Sequence, residues 1–422
     1  MTISTKSTTA WAEVNPEGDL VIPREVALRF GLTPGARTRL DEGPNILRMH
    51  RPITQLTKLY IEPTVVCNLD CVTCFRQGWN EPNGRMSEET FEHILEGLKS
   101  LDPLPTVYFG GIGEPLVHNQ TIRWMKQVKQ LGVPRIEMIT NATLLDEERG
   151  RRLMDAGLDM LWVSLDGATP QSYSDVRLGA ELPKVLKNLR RFDRMRPAGH
   201  YPHPEIGVAF VAMKRNINEM GKVIRLGRSF RAKHFSVSNL QPATADMVDE
   251  RLYMHTLMDP GYIDGSRNIP RLNLPRMDFN EITRDALFDA FTSGCNISFA
   301  GNNWGGASDT CNFVEAGTMS IAWDGFAAPC WALMHTHTSF LKNKPLTNHR
   351  HVIGSVAEKS LLELWLDPDY VAYRERLHNF GFAPCTFCGG CDLAETNQED
   401  CFGNPAPVCG VCLWAQGVIQ CP

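Results

Sequence analysis

The stretch Cys67-Asn68-Leu69-Asp70-Cys71-Val72-Thr73-Cys74 places three thiols within eight residues. It follows the apolar runs 59–61 and 64–66, which are typical of a strand that ends in a loop. An iron–sulfur cubane takes one thiolate for each iron, so three cysteines leave one iron free to bind something that is not protein. The stretch therefore predicts an open iron–sulfur cluster at the end of a strand.

Three other interpretations of this loop stay open at this point. A structural zinc site usually has four ligands in two closely spaced pairs, and no second pair lies near the loop. A disulfide framework needs an oxidising compartment, of which the sequence carries no sign. Buried, unreactive cysteines are common in protein cores. The cluster hypothesis accounts best for the spacing.

Length and composition limit the remaining possibilities. The 422 residues can form two or three domains, and 43% hydrophobic with 22% charged residues is typical of a soluble globular protein. The net charge of -5 provides no overall attraction to nucleic acid or anionic lipid. The N-terminus lacks an apolar signal core and no run approaches the roughly 18 apolar residues of a membrane span, so we expect a cytoplasmic protein without membrane association. Thirteen cysteines, ten of them after position 290, then indicate metal binding.

Residues 57–240 alternate between short apolar segments and amphipathic segments. Six such strand–helix units in series predict an α/β fold with a parallel sheet, either open or closed into a partial (β/α)6 TIM-like barrel. In such sheets the active site lies at the C-terminal ends of the strands. The predicted strands are 58–65, 106–110, 135–140, 159–166, 205–213 and 233–239.

The unusual loops of this region all follow predicted strands. The cysteine loop follows the first strand, Gly110-Gly111-Ile112-Gly113-Glu114-Pro115 the second, Thr140-Asn141 the third and Ser164-Leu165-Asp166-Gly167 the fourth. The glycines allow the backbone to approach a ligand closely, and Glu114 offers a carboxylate suited to an ammonium group. The spacing is not that of a phosphate-binding loop. We therefore expect one ligand site beside the predicted open iron.

The cysteine loop, the glycine-rich loop and the predicted partial barrel together resemble the radical SAM superfamily. The resemblance implies that Cys67, Cys71 and Cys74 hold a 4Fe-4S cluster whose open iron binds the amino and carboxylate groups of S-adenosylmethionine. It implies reductive cleavage to a 5′-deoxyadenosyl radical that removes hydrogen from an unactivated carbon, while the sequence identifies no catalytic base. The residues that it implies for S-adenosylmethionine are Gly110, Gly111, Gly113 and Glu114 near the amino group, Asn141, Ser164 and Asp166 near polar parts, and Arg177 near the carboxylate.

After a predicted connector at residues 241–290, with a helix at 247–258, residues 291–422 are rich in cysteine. A hairpin predicted around Trp323-Asp324-Gly325 would bring Cys311 and Cys330 together. The spacing Cys311-x13-Gly325-x4-Cys330 and the segment 354–374 resemble the SPASM domain, which implies auxiliary 4Fe-4S clusters, here two. The ligands so implied are Cys311, Cys330, Cys385, Cys388, Cys391, Cys401, Cys409 and Cys412.

Two further interpretations of this half follow from its residue types. A zinc ribbon stays open for the Cys-x2-Cys pairs. We expect His335 and His337 to be ordinary surface or core histidines, because thiols are in surplus.

Residues 1–52 predict a separate small module, with a hairpin over 11–23, a helix over 24–30 and strands at 37–40 and 46–49. The module resembles the AbrB-like (SpoVT-type) swapped-hairpin family, through Gly18-Asp19-Leu20-Val21-Ile22-Pro23 and Gly31-Leu32-Thr33-Pro34-Gly35. That resemblance implies a homodimer. We do not expect DNA binding, because the basic residues Arg24, Arg29 and Arg37 are few.

The tail 399–422, with segments 238–242 and 274–278, resembles the maturases or cofactor-modifying proteins of tungsten-containing aldehyde ferredoxin oxidoreductases. This implies a radical SAM maturase that modifies a partner protein, a peptide or its cofactor, with electrons from ferredoxin or flavodoxin. One alternative is a maturase that forms a thioether or carbon crosslink in a ribosomally made peptide. An alternative of another class is an iron–sulfur redox sensor that binds DNA through residues 1–52.

Overall fold

The computed structural model describes residues 10–43, 45–199, 202–254, 271–275, 277–278, 280–292, 296–300, 311–388 and 391–420. The strands are β1 (Glu13–Val14), β2 (Leu20–Val21), β3 (Leu40–Gly43), β4 (Ile46–Met49), β5 (Lys58–Ile61), β6 (Thr106–Phe109), β7 (Ile136–Thr140), β8 (Met160–Ser164), β9 (Glu205–Ala212), β10 (His234–Asn239), β11 (Arg271–Pro275), β12 (Asn296–Ala300), β13 (Thr318–Ile321), β14 (Phe326–Ala328), β15 (His337–Leu341), β16 (Lys344–Asn348) and β17 (Gly354–Ser355).

The α-helices are α1 (Arg24–Arg29), α2 (Glu88–Lys99), α3 (Thr121–Gln130), α4 (Glu147–Asp155), α5 (Pro170–Ser174), α6 (Leu182–Met195), α7 (Met220–Arg228), α8 (Arg284–Thr292), α9 (Asn312–Glu315), α10 (Leu361–Trp365), α11 (Pro368–Asn379) and α12 (Cys385–Cys388). None of the described helices is long and apolar enough to cross a lipid bilayer.

One large sheet organises the molecule. Its strands run in the order β12-β11-β10-β9-β8-β7-β6-β5-β13-β14-β17, and every neighbouring pair from β12 to β13 is parallel. All six predicted strands are present, within a few residues of their predicted bounds, as β5 to β10. Helices α2 to α7 connect them, which is the alternation of strands and helices expected of a partial barrel. The carboxyl ends of these strands therefore lie along one edge.

The start of helix α2 and its buried face follow from local signals in the sequence. Ser87 caps α2 by accepting a hydrogen bond from the Thr90 amide, and two glutamates follow in the first turn. Phe91, Ile94 and Leu98 of α2 are fully buried. This apolar stripe repeats at helical spacing and packs the helix onto the sheet.

The predicted connector at 241–290 is wrong in part. Strand β11 lies within it and pairs in parallel with β10, and β12 extends the sheet further. The predicted helix at 247–258 is a short 3-10 helix, Ala245–Glu250, and residues 255–258 lie outside the described ranges. The sequence pattern did not predict this strand because it mixes polar residues with a proline, which weakens the strand signal. Its residues are Arg271-Leu272-Asn273-Leu274-Pro275.

The cysteine-rich half continues the same sheet. Strand β13 pairs in parallel with β5, with Thr318 opposite Lys58 and Ile321 opposite Ile61. Strands β13 and β14 form the predicted hairpin. Because β5 is the strand that leads into the cysteine loop, the C-terminal half is fixed directly beside that loop.

The N-terminal residues form two small hairpins, β1–β2 and β3–β4, around α1. The strand predicted at 37–40 lies instead at Leu40–Gly43, where it pairs with β4 through a tight turn. Large apolar side chains of this segment are exposed to solvent: Trp11, Val14, Leu20, Val21, Leu28, Leu40 and Leu47. Exposed apolar groups in such number are typical of surfaces that bind another molecule.

Candidate active site

A cavity of ≈ 220 Å³ opens at the carboxyl ends of the parallel strands. The loops that follow β5, β6 and β7, together with the end of β8, surround it, as expected for a sheet of this kind. Most of the predicted site residues line this cavity: Cys67, Cys71, Cys74, Gly111, Gly113, Glu114, Asn141, Ser164 and Arg177.

The three cysteines of the loop after β5 all face this cavity. Burial raises the pKa of each thiol, and it raises that of Cys74 to about 11. Neutral thiols are poor ligands, so these side chains become thiolates only when a bound cation compensates for the lost hydration. Three thiols that are buried or half-buried on one short loop fit a cluster with one open iron, and among the described residues that line this cavity no fourth cysteine completes a zinc site.

Glu114 is held by the ends of two strands. Its Oε1 accepts hydrogen bonds from Thr140 Oγ1 at 2.7 Å and from the Leu116 amide at 3.1 Å, and its Oε2 accepts one from the Asn141 amide at 2.7 Å. Burial raises the pKa of this carboxyl, and these hydrogen bonds act against that rise. Each carboxylate oxygen has two lone pairs, so Oε2 retains one that can accept a hydrogen bond from an ammonium group.

The glycine-rich loop is needed for packing against the protein itself. A Cβ on Gly113 would lie 2.3 Å from the Thr64 carbonyl oxygen, and a Cβ on Gly111 would lie 2.3 Å from Cγ of Glu62. On Gly110 it would lie 2.5 Å from the Tyr108 ring. The expectation that these glycines serve close approach to a ligand is therefore incomplete, because their missing side chains let this loop pack onto the segment that precedes the cysteines.

Asn141 joins the cysteine loop to the end of β7. Its Nδ2 donates to Asn68 Oδ1 at 3.0 Å, while its Oδ1 accepts from the Thr143 amide at 2.9 Å. The side chain thus fixes the position of the residue next to Cys67, in addition to lining the cavity.

Arg177 brings a positive charge to the cluster loop. Its Nε donates to Asp166 Oδ2 at 2.7 Å, and a guanidinium nitrogen lies 3.8 Å from Cys71 Sγ. Asp166 is fully buried and also accepts from the Val211 amide at 2.7 Å. Asp166 therefore acts as a positioning residue for Arg177 rather than as a wall of the cavity. Ser164 ends β8 and faces the cavity.

Several cavity residues were missed by sequence reasoning. They come from β9, from β10 and the segment after it, and from the cysteine-rich half, where single polar or aromatic residues carry no recognisable motif. The polar doublet Ser238-Asn239 at the end of β10 is the one local signal that could have indicated them. These residues are Phe210, Val211, Ser236, Ser238, Asn239, Gln241, Trp331, Trp414, Ile419 and Gln420.

A second, smaller cavity is lined by four cysteines. Burial raises the pKa of all four thiols, and Tyr373 Oη lies 3.1 Å from Cys409 Sγ. Four thiols around one cavity, two buried and two half-buried, fit a cubane with complete protein ligation. The four are Cys311, Cys330, Cys409 and Cys412.

The two cavities share a wall. Gln241 and Trp414 line both of them. Only a layer of side chains therefore separates the thiols of the second cavity from the space beside Cys67, Cys71 and Cys74.

The remaining implied ligands lie close together in sequence but differ in exposure. Cys385 is buried at the start of α12, whereas Cys391 and Cys401 are exposed, and the side chain of Cys388 lies outside the described part of the chain. Asp400 accepts a hydrogen bond from the Ala383 amide at 3.0 Å, which holds the Cys401 loop near Cys385. This set stays a prediction.

His335 is a core histidine that links the two halves of the molecule. Its Nε2 lies 2.6 Å from Glu62 Oε2 and its Nδ1 lies 2.9 Å from Glu81 Oε2. Glu62 is fully buried, and its other oxygen accepts from the Ile112 amide of the glycine-rich loop at 3.0 Å. His337 is also buried. The prediction of ordinary surface or core histidines did not anticipate this link, because Glu62 and Glu81 lie more than 250 residues from His335 in the chain.

We expect the stability that His335 contributes to depend on pH. Burial acts to lower the pKa of His335, but hydrogen bonds and negative charge from Glu62 and Glu81 outweigh burial and raise it from 6.5 to about 9. Since the folded-state pKa is the higher one, the full contribution is present below about pH 6.5 and is lost as the pH rises through 9. The shift corresponds to about 3 kcal/mol.

The measurement compares thermal unfolding of the wild type and His335→Gln anaerobically between pH 6 and 10. We expect the difference between their midpoints to be largest at pH 6 and to shrink steadily above pH 7. A difference that stays constant across this range would contradict the assigned ion pair.

Two family models match this chain. The Radical SAM superfamily model matches residues 61–200, and the SPASM model, an iron–sulfur cluster-binding domain, matches residues 311–392. Among curated proteins, a tungsten-containing aldehyde ferredoxin oxidoreductase cofactor-modifying protein from Pyrococcus furiosus is 30% identical over 368 residues, which cover 86% of this chain and 96% of that protein. A probable GTP 3′,8-cyclase from Methanococcus maripaludis is 29% identical over 38% of this chain and 51% of its own length.

Solved structures share the fold at lower identity. Streptococcus suis SuiB bound to S-adenosylmethionine aligns with a TM-score of 0.52 at 18% identity, over 85% of this chain and 74% of SuiB. The protein anSMEcpe with bound AdoMet aligns with a TM-score of 0.52 at 16% identity, over 86% of this chain and 96% of that chain. The matched models and the near full-length relative agree with the cysteine loop, the parallel sheet and the cavity described above. The chain belongs to the radical SAM superfamily and is an S-adenosylmethionine-dependent enzyme with a C-terminal SPASM iron–sulfur domain.

Proposed function

We propose that this enzyme is a maturase that modifies a partner protein, a peptide or its cofactor during assembly of a tungsten-containing oxidoreductase. One observation carries this proposal: the relative whose name includes cofactor modification of a tungsten enzyme matches 86% of this chain and 96% of its own length. The match therefore extends through the cysteine-rich half and is not confined to the S-adenosylmethionine-binding core.

The chain's own residues have separate tasks in this proposal. Cys67, Cys71 and Cys74 hold the cluster, and Glu114 accepts the ammonium group of S-adenosylmethionine. Arg177, held by Asp166, places positive charge beside the cluster loop. When bound, the cluster and S-adenosylmethionine supply a carbon radical able to remove a hydrogen atom from the substrate.

The aromatic side of the cavity limits access of water. Trp331 and Trp414 come from the cysteine-rich half and form an aromatic part of the cavity wall. A radical site needs such a cover, because water and stray hydrogen donors would consume the reactive species. Gln241, Ser236 and Ser238 on the opposite strands offer hydrogen bonds to a polar substrate.

The second cavity adjoins the first through Gln241 and Trp414. An auxiliary cluster held by Cys311, Cys330, Cys409 and Cys412 would therefore lie next to the bound substrate. That position suits substrate anchoring or transfer of an electron from the substrate radical. A low-potential donor such as ferredoxin or flavodoxin supplies the electron for the first cluster, and the exposed apolar side chains of residues 11–47 support a homodimer.

The experiment that tests the function is co-production of this enzyme with a tungsten-containing aldehyde oxidoreductase from the same genome. We expect the oxidoreductase, or its extracted tungsten cofactor, to change mass only when the wild-type enzyme is present, and not with Cys71→Ala. An unchanged partner and cofactor mass, together with modification of a short precursor peptide, would favour the crosslinking maturase instead. Absence of S-adenosylmethionine cleavage with any partner would overturn the enzyme assignment.

A further inference from the structure

A cluster of two histidines and a carboxylate lies outside the linings of both cysteine cavities, beside the second one. Its members are His50, Glu315 and His378, and one ligand atom of each lies within 4.8 Å of the other two. His50 follows β4, Glu315 ends α9, and His378 lies in the last turn of α11. Three separate parts of the chain therefore meet at this point.

The distances suit a metal ion with nitrogen and oxygen ligands. His50 Nδ1 lies 2.9 Å from Glu315 Oε2, and His378 Nδ1 lies 3.3 Å from Glu315 Oε1. In a tetrahedral zinc site with bonds of 2.0–2.2 Å, ligand atoms are separated by about 3.4 Å. The 3.3 Å contact is close to that separation, and the 2.9 Å contact is shorter than it by about 0.5 Å. The ligand atoms of the three residues all lie within 4.8 Å of one another, so reaching that separation needs a shift of about 1.4 Å at most.

One ligand atom of the cluster has no hydrogen bond. His378 is 7% exposed, and its buried Nδ1 has no hydrogen-bond partner within the described part of the chain, although it points toward Glu315. An unpaired buried nitrogen is costly for the protein, so its presence here calls for an explanation. A metal ion between the three residues would satisfy it.

The carboxylate of Asp41 contacts His50 on the ring nitrogen that does not face Glu315. His50 is 8% exposed, and its Nε2 lies 2.7 Å from Asp41 Oδ2. A carboxylate on the far nitrogen fixes the imidazole tautomer and frees Nδ1 as a lone-pair donor, which is the common arrangement around histidines that bind metal. Asp41 itself is held by Arg39 at 2.6 Å.

The alternative is a simple ion-pair cluster, with protonated histidines between carboxylates. In that arrangement His378 Nδ1 would face Glu315 Oε1 across 3.3 Å, which is within ion-pair distance but lacks the angle of a well-formed hydrogen bond. Glu315 has a side chain that is 26% exposed, so a water molecule can reach the fourth position of a metal. Zinc binds three protein ligands plus a water molecule in catalytic sites, whereas most structural sites use four protein ligands, so this site would be a three-ligand junction site completed by water.

We propose that His50, Glu315 and His378 bind a divalent zinc ion that fastens the N-terminal segment to the cysteine-rich half. The site draws one ligand from the segment 1–52 and two from helices that pack beside the second cavity. Metal binding here would replace weak polar contacts at this junction by bonds that cross it. The site is independent of S-adenosylmethionine chemistry.

The test uses the full chain with its clusters reconstituted anaerobically. The protein is incubated with Zn²⁺, separated from unbound metal, and examined by elemental analysis and by zinc X-ray absorption. We expect about one zinc per chain, with nitrogen and oxygen neighbours at 2.0–2.2 Å and none of the sulfur neighbours at 2.3 Å that cysteine sites would produce.

Single substitutions test which side chains bind the zinc ion. His378→Asn and Glu315→Gln should lose zinc while they retain the iron content of the wild type, which shows that they fold. Asp41→Asn should weaken zinc affinity by 10- to 100-fold. The control His93→Asn alters an exposed histidine of α2 and should bind zinc as the wild type does.

Three results would overturn the proposal. These are failure of the wild type to retain zinc, equal retention by His378→Asn and Glu315→Gln, and zinc surrounded by sulfur alone. The readout requires no substrate, so it does not depend on the maturase assignment.

Discussion

Replacing Cys71 with alanine is expected to abolish release of 5′-deoxyadenosine under strong reductant and to remove about four iron atoms per chain. Cys71 is buried in the wall of the first cavity, and its Sγ lies 3.8 Å from the Arg177 guanidinium. Two remaining thiols cannot hold a cubane that already lacks one protein ligand. The loss of activity should therefore be complete within the detection limit.

The measurement combines iron analysis with chromatography of the nucleoside products. Asp70→Asn is a matched control, because Asp70 belongs to the same loop but its side chain is 71% exposed and its nearby Arg76 lies 3.5 Å away. An exposed pair of this kind contributes little, so iron content and product should equal those of the wild type. Release of 5′-deoxyadenosine by the Cys71 variant would show that another group of thiols binds S-adenosylmethionine.

Replacing Cys330 with alanine is expected to abolish modification of the partner while cleavage of S-adenosylmethionine at the first cavity continues. Cys330 lines the second cavity with Cys311, Cys409 and Cys412, and its loss should remove about four iron atoms per chain. The first cluster has its own three ligands, so slow release of 5′-deoxyadenosine should persist. Modification of the partner should fall below detection, because the auxiliary cluster adjoins the substrate space through Trp414.

A milder variant checks the same assignment. Tyr373→Phe removes the hydroxyl that lies 3.1 Å from Cys409 Sγ, but no thiol. We expect full iron content and a more negative potential of the auxiliary cluster, since a hydrogen bond to sulfur stabilises the reduced form. Full iron content and intact partner modification in Cys330→Ala would show that this cysteine is not a ligand.

The location of each element along the chain was largely predictable. The six barrel strands and α2 follow local apolar patterns and a serine cap, and these signals depend on neighbouring residues only. The cysteine loop was equally clear, because all three thiols are adjacent in sequence. Where the pattern was weak, as at Arg271–Pro275, a strand of the sheet was taken for a connector.

What the sequence alone determined is the chemistry of the first site: a trio of thiols at the end of a strand, a glycine-rich loop with Glu114, and a parallel α/β core. The tertiary structure alone decided which distant groups meet. It placed β13 beside β5, joined Cys409 and Cys412 to Cys311 and Cys330, and set His335 against Glu62. The physical reason is that element type follows from short-range pattern, whereas contacts between distant residues follow from packing summed over the whole chain.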